Sequence, residues 1–127
     1  MGNILKVTVA IPGVLFVVLG LRWLVDPAGM ADELGMPLLD GLGRSTQIGD
    51  LGAFFLVGGA MMLLGIITQR REWFTAPAML LGCTAVFRIL AWLVHDAALA
   101  VPQIAIEVVV AVLLLFAASR AGQHVSR

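Results

Sequence analysis

The stretch FTAPAMLLGCTAVFRILAWLV (Phe74–Val94) decides the fold. It is apolar along nearly its whole length, with a single charge at Arg88. A bilayer core of roughly 30 Å is crossed by about 20 apolar residues of helix, and this run reaches that length. A soluble helix would alternate apolar and polar faces, whereas here the apolar residues go all the way round. Phe74–Val94 therefore reads as a membrane span.

Three further runs qualify by the same measure: about Val7–Val25, Thr46–Ile67 and Val101–Ser119. The composition agrees. Of 127 residues, 61% are hydrophobic and 13% charged, against about 45–50% and about 25% in ordinary soluble domains. The expected fold class is all-α: one integral membrane domain over residues 1–127, folded as a four-helix bundle. The first run exceeds a signal-peptide core, has only Lys6 before it and no A-x-A pattern after it, so it reads as a retained span.

The connections differ in kind. TQRRE (Thr68–Glu72) and HDAALA (His95–Ala100) are short. DPAGMADELGMPLLDGLGR (Asp26–Arg44) is long enough for structure of its own. Asp26 as N-cap, Pro27 at the first helical position and Gly35 with Pro37 beyond the end predict a short interfacial helix near Ala28–Leu34. Ser45 is then the expected cap of the second span. Pro12–Gly13 predicts a kink in the first. The glycines of the second span (Gly49, Gly52, Gly58, Gly59, Gly65) predict close helix packing, within the chain or between chains of a homo-oligomer.

Several function classes fall away. The formal net charge is zero, which offers no basic surface for nucleic acid. Cys83 is the one cysteine, so an intrachain disulfide, a dithiol motif and a thiolate cage are all excluded. His95 and His124 are too few and too far apart to suggest a metal site, and the expectation is a protein without metal or cofactor. His95–Asp96 reads as a solvated loop end in preference to a proton relay.

Charge also orients the chain. One side carries Lys6, Arg70, Arg71, Arg120 and Arg127 against Glu72. The other carries Asp26, Asp32, Glu33, Asp40 and Asp96, with Arg44 its single loop base. The positive-inside rule places both termini in the cytoplasm of a bacterial inner membrane. Trp23 and Trp92 are then expected at the outer interface and Trp73 at the inner one, as an aromatic belt.

That orientation sets Arg22, Asp50, Arg88 and Glu107 at one level. At about 1.5 Å per residue, all four lie roughly 4–9 Å below the outer boundary. A charge facing lipid is costly, so ionisable residues within spans turn inward and pair. The economical arrangement is an Arg88–Glu107 pair extended by Asp50 and Arg22, with Arg44 and Trp92 at the rim. Thr84 shares the face of Arg88, and Gln103 lies one turn from Glu107. Such a cluster is either a clasp that fixes helix register or an outer-leaflet pocket that binds a membrane lipid or a small lipophilic or anionic molecule. The count of four groups favours the pocket. Arg88 would supply the positive charge there, and Glu107 would orient it. Two alternatives stand beside it. One is an acid/base isomerase or cyclase for a lipophilic substrate, with Glu107 or Asp50 as proton donor. The other is a non-catalytic subunit of a membrane complex. A transporter is disfavoured by the absence of repeats and broken helices.

LGLRWLVDPAGMADELGM (Leu19–Met36), GRSTQIGDLGAFFLVGGAMMLLG (Gly43–Gly65), FRILAWLVHD (Phe87–Asp96) and Glu107 together resemble a family of small bacterial membrane proteins of unknown function, similar to the DoxX-like class. The resemblance runs over nearly the whole chain. It implies the four-span bundle and the importance of Arg22, Arg44, Asp50, Arg88 and Glu107, but no activity. The wider class includes proteins associated with quinone-linked sulfur oxidation, while no residue pattern in this sequence identifies a redox centre of its own.

Overall fold

The computed structural model describes residues 1–125, with side chains through Ala121. His124 as a side chain and Arg127 as a residue lie outside what is described. The described residues are helical, without strands: α1 (Asn3–Val25), α2 (Pro27–Glu33), α3 (Gly41–Thr46), a π-helical turn (Gln47–Leu51), α4 (Gly52–Thr68), α5 (Glu72–Val94) and α6 (Val101–Val125). Four of the helical stretches are long and apolar enough to cross a membrane: Asn3–Val25, Gly41–Thr68, Glu72–Val94 and Val101–Ala121.

The exposed surface fits that reading. Val7, Ile11 and Val14 on α1 and Val108, Val109 and Val112 on α6 all point outward. In water these stripes would be a large apolar patch, whereas hydrocarbon receives them at no cost.

α1 lies antiparallel on α4 and α5 packs on α6, the two pairs meeting chiefly through α4 and α5. Two glycines set the α1–α4 distance. A Cβ at Gly20 would stand 2.6 Å from the Leu56 backbone nitrogen, and one at Gly59 would stand 2.5 Å from the Gly13 carbonyl oxygen. The helices are close enough that their backbones touch, which leaves no room for a side chain at either position. Gly52, Gly58, Gly59 and Gly65 all bury within the chain, so most of the glycine pattern of the second span serves intrachain packing. On the α5–α6 side, small residues do the same: Ala78, Ala85, Ala111, Ala117, Ala118 and Ala121 are buried.

α2 forms where expected. Asp26 accepts the Gly29 N–H at 3.2 Å, Pro27 opens the helix, and Gly35 ends it at φ 78°. The Gly35 N–H donates to the Asp32 carbonyl and the Met36 N–H to Ala31, the paired bonds of a Schellman motif. α2 then folds back over the end of α1, where Met30 and Ala31 cover Trp23.

This fold-back corrects the aromatic belt. Trp23 is fully buried because α2 packs over it, and its indole N–H finds no partner among the described residues. Trp92 is exposed and Trp73 half-buried. The second correction concerns Ser45. The second span begins at Gly41, so Ser45 lies inside the helix and caps nothing. The backbone stays right-handed helical from Thr46 through Gly52, so α3, the π turn and α4 form one continuous rod. Pro12 sits within an unbroken α1. In the short α4–α5 turn, Gln69 adopts φ 55° and its N–H donates to the Gly65 carbonyl.

Candidate functional site

α2, α3 and the α5–α6 connection gather at one end of the bundle, and there the long first connection meets the helices. From the second span, Gln47 clamps the connection. It is buried; its carboxamide oxygen accepts the Leu39 N–H at 2.8 Å, and its nitrogen donates to the Pro37 carbonyl and to the Met36 sulfur, each at 3.0 Å. Arg44 Nε donates to the Leu39 carbonyl at 2.8 Å. Side chains thus satisfy both backbone groups of Leu39, in a segment with no regular structure to satisfy them.

The held segment forms one wall of a cavity of about 400 Å³. Leu34 and Met36 come from the connection, Leu51, Phe54 and Phe55 from the π turn and α4, Thr84 and Arg88 from α5, and Ala100, Gln103 and Glu107 from the entry to α6 and its first turns. Cavities of this size are typical of small-molecule sites. The phenylalanine wall is itself packed edge to face, Phe54 on Phe55 and Phe55 on Phe16, each pair 5.2 Å apart.

Arg88 and Glu107 are the two charged residues of this lining. Arg88 Nε donates to both Glu107 oxygens at 3.0 Å. The Glu107 side chain is 10% exposed and that of Arg88 37%. The carboxylate is thus embedded between α5 and α6, and the guanidinium is the more accessible partner. Neither terminal nitrogen of Arg88 forms a hydrogen bond or a second ion pair with a described residue. An arginine that only neutralised Glu107 would commonly present two nitrogens in a fork. Here the donating fork is left open.

The other residues expected in the cluster lie elsewhere. Arg22 donates to Glu33 at 2.8 Å and lies 3.5 Å from Asp26, tying α1 to α2. Arg44 pairs with Asp40 at 3.2 Å, beside the bond to Leu39. Asp50 is exposed and unpaired among the described residues, lining a separate shallow groove with Thr46 and Gln47. Trp92 is not part of the cavity wall. His95 and Asp96 are both exposed in the α5–α6 connection with no bond between their side chains.

Thr84 and Gln103, noted in the sequence as neighbours of the pair, do line the cavity. Gln47 and Met36 were not foreseen. The available signal was an uncharged amide at the head of an apolar span, next to a proline-containing connection with few ways to bond its own backbone. Comparison of the chain with protein-family models, with curated proteins and with solved structures finds no match in any of the three.

Proposed function

We propose that this is a multi-pass protein of a bacterial inner membrane, with cytoplasmic termini, that binds a lipid-like amphipathic molecule in the cavity between α4, α5 and α6. The polar end of the ligand lies on Arg88 and its apolar body against Leu51, Phe54 and Phe55. The observation that carries this reading is the open side of Arg88. A single nitrogen holds Glu107, while the terminal nitrogens belong to a residue that lines a cavity and are bonded to none of the described residues. The Arg88 side chain is 37% exposed, so these donors are within reach of a ligand, and a bound molecule would supply charge-assisted acceptors for them. The resemblance to the DoxX-like class belongs to the same proposal and adds to it only the bundle and the arginine and acid positions.

The experiment is native mass spectrometry of the protein released from mild detergent. The parent is expected to carry a co-purified amphiphile that the Arg88→Gln variant loses. A parent free of adduct, or an adduct retained unchanged by the variant, overturns the reading.

A structural clasp is the second reading, supported by the way Arg88–Glu107 bridges α5 and α6. An acid/base enzyme has less support. Both Glu107 oxygens are engaged by Arg88, and Asp50 faces a different groove.

A further inference from the structure

We infer that the ligand of this cavity is uncharged at its polar end, an amphiphile headed by a carbonyl, ester or amide oxygen rather than by a carboxylate or phosphate. The inference rests on the binding reading above and deepens it through charge balance. Among the described residues, Arg88 and Glu107 are the charged members of the lining, and their formal charges cancel. The remaining polar groups are neutral. Gln103 offers a carboxamide. The Thr84 hydroxyl donates its hydrogen to the Leu80 carbonyl at 2.8 Å, so toward the cavity it can only accept. Leu34, Met36, Leu51, Phe54, Phe55 and Ala100 complete an apolar wall.

Such a site has hydrogen-bond donors to give but no net positive charge. An anion on the free side of the guanidinium would share that one cation with the Glu107 carboxylate, already 3.0 Å from Nε on the other side. Two anions on either side of one guanidinium in a medium of low polarity repel, and the site as a whole would carry an unbalanced negative charge. A neutral carbonyl-type oxygen accepts the same N–H bonds without that penalty. A cationic head would meet Arg88 itself. The chemistry that fits is therefore a neutral acceptor on an apolar body.

The test uses two probes with one chain and two heads, dodecanoate and methyl dodecanoate. Each is titrated at pH 9, where the acid is ionised, into the protein in phosphatidylcholine nanodiscs. Occupancy is read by native mass spectrometry and corrected for partition into empty discs. The parent is expected to bind the ester about tenfold more tightly than the carboxylate, a difference on the order of 1.4 kcal/mol. Glu107→Gln gives the site a net positive charge and should reverse the order. The double variant Arg88→Gln/Glu107→Gln restores neutrality and should keep the ester preference, with weaker binding. A parent that prefers dodecanoate, or binds the two equally, overturns the inference while leaving the site in place, and this holds whether or not Glu107→Gln folds. Binding that Arg88→Gln does not change, or no binding of either probe, overturns the binding reading itself and this inference with it.

Discussion

Gln47 accepts the Leu39 N–H at 2.8 Å, and through this bond a span residue fixes the loop that walls the cavity. Its carboxamide replaces the backbone pairing that the Met36–Leu39 segment lacks. Gln47→Leu is close in volume but leaves the Leu39 N–H and the Pro37 carbonyl unpaired. We expect a loss of about 1–3 kcal/mol in stability and faster amide exchange at Leu39. Unchanged exchange at Leu39 would show that the loop is held by packing alone.

Arg88 and Glu107 should be strongly coupled. Removing Glu107 alone leaves a cation between apolar helices, and removing Arg88 alone leaves the more deeply buried carboxylate unpaired. Replacing both with leucine removes the uncompensated charge along with the pair. In thermal unfolding in one detergent, each single variant should fall below the double one, with a coupling energy of about 1–3 kcal/mol. Additive single effects would mean that the pair contributes nothing as a pair.

How far the sequence could be read follows from what each signal encodes. Apolar length gives the spans, and it placed all four, with α2 located by Asp26, Pro27 and Gly35. Position along a span gives depth, and depth was enough to bring Arg88 and Glu107 together. Depth does not give the side of the helix. α1 is apolar all round, so nothing in it marks where Arg22 points, and the nearby carboxylates of Glu33 and Asp26 take it. Asp50 was misplaced for a related reason. It sits in the π turn Gln47–Leu51, where an ordinary helical spacing no longer predicts the face. The buried Trp23 depends on α2 folding back, a tertiary event with no local signature.

The close α1–α4 contact predicts a sharp contrast between two glycines of one span. Gly59→Ala drives a methyl group into the Gly13 carbonyl and the Val17 nitrogen, atoms of backbone that cannot rotate away. The expected cost is about 1–3 kcal/mol. Gly49→Ala meets nothing within 4 Å and gains helix propensity, so it should be neutral or mildly stabilising. Equal behaviour of the two variants in thermal unfolding would mean that α1 and α4 do not approach as described.

The proposed orientation is open to direct labelling, because Cys83 is the only cysteine and Cys83→Ala leaves a blank background. Asp32 and Asp40 are exposed at the end of the bundle that holds α2 and α3, and Arg70 is exposed in the α4–α5 turn at the other end. The acidic end lies outside if the basic end is retained in the cytoplasm. Single cysteines introduced by Asp32→Cys and Asp40→Cys should then react in intact spheroplasts with a membrane-impermeant maleimide. Arg70→Cys should react only after permeabilisation. The reverse pattern would turn the cavity toward the cytoplasmic leaflet. The ligand would then be drawn from that leaflet, while the chemistry of Arg88 and Glu107 would stand unchanged.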